Sequence, residues 1–147
     1  MRPDKATYYL EIAKKVLERG TCLRRNYGAV IVKNDEIIST GYTGAPRGLK
    51  NCIDIGKCKR QEMGIPPGER YELCASIHAE MNAIISASRS EMIGSTLYLQ
   101  GRDETTKEFI EAESCLMCKK MIINAGISFV CTSTNKREID IVSNWVL

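Results

Sequence analysis

Long apolar runs are missing from this chain, and none approaches the roughly 20 residues that a helix needs to cross a bilayer. The first residues, 1–5, are charged and lead into an amphipathic stretch, so we predict no signal peptide. Neither sign of charge dominates, because 21 basic and 18 acidic side chains leave a net charge of +3. That excess is too small to indicate a nucleic acid partner by itself. We therefore expect a cytoplasmic protein without membrane or nucleic acid partners.

Internal repeats and low-complexity segments are also missing. The length of 147 residues suits one compact domain, which we place at residues 1–147. The hydrophobic fraction of 44% and the charged fraction of 27% are typical of globular proteins. Histidine occurs once and cysteine seven times. In a reducing compartment, that many cysteines indicate metal ligation more than disulfides.

Two short motifs carry the chemistry that the sequence predicts. The single histidine belongs to His78-Ala79-Glu80, and a cysteine pair follows at Cys115 and Cys118. A catalytic zinc takes three protein ligands and keeps a fourth position for water. The cysteines lie three residues apart, so both sulfurs can face one metal from the first turn of a helix, and His78 supplies the third ligand. Glu80 is then placed to reach the water, whose pKa zinc lowers.

Each motif has an ordinary explanation when it is taken alone. A His-x-Glu triplet arises by chance in many chains, and a Cys-x-x-Cys pair can be a redox pair or half of a structural zinc site. The combination is more specific, because the chain's only histidine stands in the first motif, ahead of the cysteine pair. If both motifs open helices, the positive ends of those helices favour thiolates and bound anions.

Hydrophobic periodicity predicts an alternating α/β order. Helical spacing covers residues 8–19, 79–88 and 115–124, and strand-like runs cover 29–32, 36–40, 96–100 and 127–132. A turn at Asn34 and Asp35 joins the first two strands as a hairpin. The order strand, helix, strand, helix, strand from Glu36 onward predicts parallel pairing after that hairpin. Residues 41–70 have no clean period and are predicted to be a long functional loop.

Four segments share a pattern with a known family: residues 28–32, 39–48, 77–85 and 115–127. They resemble the deoxycytidylate (dCMP) deaminases, and His-x-Glu followed by Cys-x-x-Cys is a signature of zinc nucleobase deaminases. The resemblance implies the cytidine-deaminase-like α/β fold, a three-layer αβα arrangement with a central mixed sheet of about five strands. It also implies conversion of dCMP to dUMP and ammonia by a homohexamer, activated by dCTP and inhibited by dTTP.

The resemblance assigns roles to individual residues. His78, Cys115 and Cys118 would hold the catalytic zinc, and Glu80 would carry protons between water and the cytosine ring. A substrate phosphate needs cations, for which Arg24 and Arg25 are our candidates, with Arg24 favoured. The alternative is a solvated basic pair at the entrance of a strand. Asn26, the next residue, is a candidate for hydrogen bonding the sugar.

The remaining cysteines form a second group. Related proteins with this pattern often bind a second, structural zinc here, for which four thiolates would fasten the long loop to the body of the domain. The alternative is that these cysteines are small buried hydrophobic side chains. The candidates are Cys22, Cys52, Cys58 and Cys74, whereas Cys131 is predicted to lie in the core.

Three features depart from the family pattern. Ser114 stands where proline normally precedes the first cysteine, and serine is a good N-cap for the helix that follows. An insertion follows Gln100, within residues 101–113, and we expect it at the mouth of the pocket, where it would alter substrate choice. The segment Gly41-Tyr42-Thr43-Gly44 has threonine where regulated members carry asparagine.

Other functions remain open at this stage. A tRNA adenosine deaminase of the same fold should have a stronger basic face for phosphate contacts than a net charge of +3 supplies. A zinc-stabilised binding module without catalysis is a second alternative. Glu80 argues against it, because a purely structural zinc has no use for an acid beside its water position.

Overall fold

The computed structural model describes residues 1–132 and 137–145, which form one mixed sheet with helices on both faces. The strands are β1 (Arg25–Lys33), β2 (Glu36–Tyr42), β3 (Thr96–Asp103), β4 (Phe109–Ile110), β5 (Phe129–Thr132) and β6 (Arg137–Asp140). The α-helices are α1 (Lys5–Leu17), α2 (Cys52–Ile55), α3 (Lys59–Glu62), α4 (Ala79–Ile85), α5 (Arg89–Met92), α6 (Leu116–Asn124) and α7 (Ile141–Asn144). None of these helices has the length and apolar character that crossing a membrane requires.

The sheet has the order β2-β1-β3-β5-β6, with β4 paired to β3. β3 and β5 are parallel, which confirms the predicted parallel pairing there. β2 and β3 are not neighbours, however, because β1 lies between them and is antiparallel to both. β2 and β3 therefore run in the same direction, and their carboxyl ends lie at the same edge of the sheet.

Two layers of core cover the two faces of the sheet. Alternate residues of β1 point to opposite faces. Ala29 and Ile31 pack with α4, α5 and α6, whereas Val30 and Val32 pack with α1. The expected three-layer αβα fold is thus confirmed. Cys131 lies in the core as predicted, on the α1 side.

The first hairpin and the start of α1 are each determined by local backbone chemistry. The hairpin between β1 and β2 is confirmed at Asn34 and Asp35, which both have a positive φ, as a tight two-residue hairpin requires. α1 begins at Lys5, three residues before the predicted start, because the Asp4 carboxylate accepts a hydrogen bond of 2.8 Å from the backbone N–H of Thr7. This is an N-cap, which satisfies one of the free N–H groups of the first turn.

The segment predicted as a long loop contains local order. α2 and α3 lie within it, and a 3₁₀ turn (Tyr71–Leu73) follows. Sequence periodicity does not reveal helices of four residues, because they are about one turn long. The first residues of the insertion after Gln100 continue β3 as far as Asp103, and the chain then turns back into β4.

Glycines set the distance between the sheet and its helices on both faces. A Cβ atom at Gly28 would lie 2.2 Å from the carbonyl oxygen of Ala13 in α1. A Cβ atom at Gly41 would lie 2.4 Å from the carbonyl oxygen of Ala79 in α4. The same contact is reinforced by the Ser39 hydroxyl, which donates a hydrogen bond of 2.7 Å to the carbonyl of Ala83. α4 therefore lies backbone to backbone on β2.

Gly41→Ala is expected to destabilise the protein by about 3 kcal/mol, because a methyl group at this position can be accommodated only by moving α4 as a whole. The measurement is the free energy of unfolding from urea titration. Gly44→Ala is the matched control, since its Cβ would have 3.6 Å to its nearest neighbour. Equal stability of the two variants would contradict this account of the packing.

Candidate metal centre and active site

Three side chains from two distant parts of the sequence meet beside the sheet. The His78 Nδ1 atom lies 3.4 Å from the Cys115 Sγ atom and 3.3 Å from the Cys118 Sγ atom. Zinc–sulfur and zinc–nitrogen bond lengths in a tetrahedral site imply separations of about 3.6 Å between such ligand atoms. The donor set and its spacing therefore fit one zinc ion. Among the side chains that the structure describes, this is the one group of three or more whose ligating atoms lie within 4.8 Å of one another.

Both motifs open helices, as the sequence predicted. His78 is the N-cap residue of α4, and Cys115 is the N-cap residue of α6. Ser114 was expected to be the N-cap residue of α6, but it lies one residue before that position. The Cys115 Sγ atom instead accepts a hydrogen bond from the backbone N–H of Cys118, at 3.5 Å. The first turn of α6 thus brings the two sulfurs to the same side.

The two cysteines have different proton affinities. The Cys118 thiol, the His78 ring and the backbone N–H of Cys118 lower the pKa of Cys115 to about 4. The neighbouring Cys115 sulfur and burial raise the pKa of Cys118. The Cys115 thiolate in turn raises the pKa of His78. Both cysteines would be thiolates when they hold a dication, since a coordinating thiol is deprotonated.

Glu80 lies in the first turn of α4 and is almost fully buried, with 4% of its surface exposed. Burial raises the pKa of its carboxyl group, although the backbone at the helix start and the Ser114 side chain oppose the shift. The carboxyl group is close enough to Cys118 and His78 to influence the pKa of each. A carboxyl group with a raised pKa exchanges protons near neutral pH more readily than an exposed one.

Glu80 and His78 border a cavity of about 220 Å³. Arg24 and Arg25, the candidate phosphate ligands, line the same cavity. Their contact with a phosphate stays a prediction. Arg60 is a third lining arginine that the sequence analysis missed. Its position depends on how α3 folds over the cavity, and no motif around it indicates that arrangement.

Asn26 is buried and its side-chain amide is engaged by protein groups. Its Oδ1 atom accepts a hydrogen bond from the backbone N–H of Cys22 at 2.8 Å, and its Nδ2 atom donates to the Cys22 carbonyl at 3.0 Å. The same Nδ2 atom donates to the Glu104 carboxylate at 2.9 Å. Asn26 thus holds the turn that precedes β1. Its predicted contact with a sugar stays a prediction.

Glu104 connects the insertion to this turn. Its carboxylate also accepts hydrogen bonds from Arg102 and Lys107, and its backbone N–H donates to the Arg24 carbonyl at 2.9 Å. Burial opposes ionisation of Glu104, but these partners together lower its pKa. No residue of the 101–113 segment lines the cavity. The insertion thus supports the segment that carries Arg24 through the contacts of Glu104, and its place at the pocket mouth stays a prediction.

The four cysteines predicted for a second zinc all border the cavity. Cys52 is buried, which raises the pKa of its thiol, and its Sγ atom lies 3.6 Å from the Ser76 hydroxyl. The charges of the other three thiols influence the pKa of Cys52 as well, although no three of the four Sγ atoms lie within 4.8 Å of one another. Burial opposes ionisation of Cys58, but backbone N–H groups and the Arg24 guanidinium lower its pKa overall. The members are Cys22, Cys52, Cys58 and Cys74.

The segment from Gly41 to Gly44 connects the sheet to the metal motif. Thr43 is buried, and its hydroxyl accepts a hydrogen bond of 3.0 Å from the backbone N–H of Tyr27. Gly44 pairs with Ile77 through two backbone hydrogen bonds of 2.7 and 3.2 Å. The Tyr42 carbonyl accepts a hydrogen bond of 2.8 Å from the Asn82 side chain. Residues before and after His78 are therefore fixed to the end of β2.

Comparison with known proteins gives a consistent result. Residues 3–134 match the model of the cytidine and deoxycytidylate deaminase zinc-binding region. A deoxycytidylate deaminase of Mycobacterium phage D29 is 35% identical over 134 residues, which are 88% of this chain and 94% of the phage protein. The deoxycytidylate deaminase of Schizosaccharomyces pombe is 33% identical over 134 residues, but the match spans 91% of this chain and 38% of the length of that protein.

Solved structures show the same relationship. The dCMP deaminase of cyanophage S-TIM5, in complex with dCMP and dUMP, superposes with a TM-score of 0.62 and 28% identity, over 88% of this chain and 81% of that one. A cytidine deaminase of Burkholderia pseudomallei shares the fold, with a TM-score of 0.57 at 17% identity over 92% and 91% of the two chains. The chain with this fold and this His-Cys-Cys centre belongs to the family of zinc-binding cytidine and deoxycytidylate deaminases.

Proposed function

We propose that this protein catalyses the hydrolytic deamination of dCMP to dUMP and ammonia, with a catalytic zinc held by His78, Cys115 and Cys118. The observation that carries the proposal is the buried Glu80 carboxyl group beside these three ligands, in a cavity that arginines line. The substrate is supported by the cyanophage protein with bound dCMP and dUMP, which is similar in sequence and fold. It is also supported by the two relatives named deoxycytidylate deaminase.

Glu80 is the proton carrier in the proposed reaction. When bound, zinc supplies a Lewis acid that makes hydroxide available near neutral pH. A Glu80 carboxylate oxygen accepts a proton from the attacking water and delivers it to ring nitrogen N3 as C4 is attacked. The same carboxyl group then transfers the second proton of the water to the amino group, which leaves as ammonia. Burial raises the pKa of this carboxyl group, which suits a residue that must be both base and acid.

We propose that a second, structural zinc is bound by Cys22, Cys52, Cys58 and Cys74. The clustering of the four thiols around the cavity supports it. Their separation exceeds that of the catalytic ligands, so the ion would draw the segments around α2 and α3 inward. Such an ion would also fix the segment that carries Arg24.

We also propose a cytoplasmic homohexamer that dCTP activates and dTTP inhibits. The seven cysteines all lie in the described part of the chain and none of them forms a disulfide, as in a reducing compartment. The regulatory segment is Gly41-Tyr42-Thr43-Gly44. An effector that displaced it would act on His78 directly, because Gly44 is paired with Ile77.

The first experiment measures ammonia release from dCMP, CMP, deoxycytidine, dCTP and an adenosine-containing RNA, each with and without dCTP or dTTP as effector. We expect dCMP to be the preferred substrate, with turnover increased by dCTP and decreased by dTTP. A preference for the RNA would replace this proposal with tRNA adenosine deamination. Absence of turnover with every compound in zinc-loaded protein would indicate a binding module.

Glu80→Gln should retain one zinc at the catalytic centre but lower kcat for dCMP by at least about 100-fold, because the amide cannot carry the proton. Zinc is measured by mass spectrometry and turnover by ammonia release. Glu36→Gln, at an exposed position, is the matched control and should keep wild-type turnover. Appreciable activity in Glu80→Gln would remove Glu80 from the mechanism.

Purified wild-type protein should contain two zinc ions per chain, and Cys52→Ser should contain one. The expected reason is that loss of one thiolate opens a four-ligand structural site. Cys131→Ala removes a buried thiol from the opposite core and should leave the zinc content unchanged. One zinc in both the wild type and Cys52→Ser would show that the four cysteines are ordinary buried side chains.

A further inference from the structure

Ser114 is a buried serine whose hydroxyl is not used by the helix that follows it. The residue is 5% exposed. Cys115, the next residue, is the N-cap of α6, and its own sulfur accepts the capping hydrogen bond. Among the groups that the structure describes, none forms a hydrogen bond with the Ser114 Oγ atom. Burial of an unpaired hydroxyl is unfavourable, so a position of this kind is explained if the hydroxyl serves a neighbouring group.

The neighbouring group is the Glu80 carboxyl group. Ser114 directly precedes the metal ligand Cys115, and Glu80 follows the metal ligand His78 by two residues. The His78 Nδ1 atom lies 3.4 Å from the Cys115 Sγ atom, so the starts of the two helices are in contact. The Ser114 side chain is close enough to Glu80 to oppose the rise in the pKa of its carboxyl group that burial causes. Hydrogen bonds of catalytic groups are often long in free enzymes and shorten when substrate binds.

A donor from α6 completes the contacts that can orient the Glu80 carboxyl group. The carboxyl group also interacts with the backbone N–H of Glu80 itself, at the start of α4. A glutamate side chain has several rotatable bonds, and one donor on its own residue leaves it more than one arrangement. A carboxylate has two accepting oxygens, so protein donors can hold one oxygen while the other faces the substrate. A hydroxyl from the second helix therefore restricts the carboxyl group to one orientation.

Serine at this position distinguishes the chain from the family pattern, in which proline precedes the first cysteine. Proline has neither a side-chain donor nor a backbone N–H. Capping of α6, the reason expected for serine, is excluded because Cys115 occupies the N-cap position. A contact with Glu80 gives the Ser114 hydroxyl a role that proline could not have.

We propose that Ser114 is a positioning residue for the proton carrier. Its hydroxyl donates a hydrogen bond to one oxygen of the Glu80 carboxylate, which turns the other oxygen toward the water and the ring nitrogen between which the proton moves. The proposal rests on the proposed deamination of dCMP. Ser114 does not line the cavity, so it acts through Glu80 and not on the substrate. Orientation of a catalytic group before the reaction lowers the barrier, because less freedom is lost in the transition state.

Ser114→Ala should lower kcat for dCMP by about 10-fold and leave KM within about twofold, because one hydrogen bond to a charged group is lost from the transition state. Ser114→Pro, which introduces the residue of the family pattern, also lacks the hydroxyl and should behave in the same way. Ser114→Thr keeps the hydroxyl and should retain most of the wild-type kcat. Turnover is measured by ammonia release, and zinc content by mass spectrometry should be the same in all variants.

Ser95→Ala is the matched control. Ser95 is also a buried serine whose Oγ atom has no hydrogen bond within the described part of the chain. It directly precedes β3, so it lies at the end of that strand opposite the metal ligands. The same deletion of a buried hydroxyl should therefore leave kcat and KM at their wild-type values, which separates an effect on Glu80 from a general effect on packing.

A cycle of variants tests the contact without reference to turnover. Ser114→Ala should lower the urea midpoint of the zinc-loaded wild type, because the buried Glu80 carboxyl group loses a donor. In the Glu80→Ala background the same change should not lower the midpoint, since the hydroxyl no longer has a partner there.

Three results would overturn the proposal for Ser114. One is an unchanged kcat in Ser114→Ala, another is an equal loss of kcat in Ser95→Ala, and the third is an equal shift of the urea midpoint in both backgrounds. A loss of zinc in Ser114→Ala would instead assign the residue to support of the ligand Cys115. Absence of dCMP turnover in the wild type would remove the proposed reaction, and the urea cycle would still decide whether the Ser114 hydroxyl holds Glu80.

Discussion

Two helices begin side by side at one edge of the sheet, and the chemistry of the chain is arranged around those two N-termini. The edge is defined by β2 and β3, which run in the same direction although β1 separates them. After β2 the chain passes through α2 and α3 and returns to the sheet as α4, and after β3 it passes through β4 and returns as α6. Ligands in α/β proteins commonly bind outside the carboxyl ends of strands, where helix N-termini meet. Here this position gives His78 and Cys115 the same local role, that of an N-cap residue, and it brings their side chains together.

Precise placement of these ligands requires that α4 cannot slide on the sheet. The backbone contact at Gly41 and the hydrogen bonds from Ser39 and Asn82 fix it to β2. The opposite wall of the cavity is less regular and is supported by polar contacts. Asn26 and Glu104 hold the turn that carries Arg24, although neither of them lines the cavity. The domain therefore combines a sheet-bound helix that begins at the metal ligand His78 with a cavity wall that is built from hydrogen-bonded loops.

Sequence patterns predicted the parts of this arrangement that depend on residue chemistry at short range. Metal ligation restricts residue type and spacing, so His78, Glu80, Cys115 and Cys118 could be found without coordinates. The hairpin could be predicted because Asn34 and Asp35 suit its turn. Arg60 could not be found as a lining residue of the cavity, because its position depends on the packing of α3 beside Tyr71, which is a tertiary contact. The position of β1 between β2 and β3 was missed for a similar reason, since the order of elements along the chain does not fix their order in the sheet.

The rarity of histidine in this chain has a practical consequence. With a single imidazole in 147 residues, every histidine ring signal in a proton spectrum arises from the metal centre. The ring contacts both cysteine sulfurs through Nδ1 and packs edge to face with the Tyr71 ring. Its resonances thus report on ion occupancy from one side and on the aromatic wall of the cavity from the other. The His78 ring is therefore a built-in spectroscopic probe of metal binding and of the Tyr71 ring, and no other residue needs to be assigned.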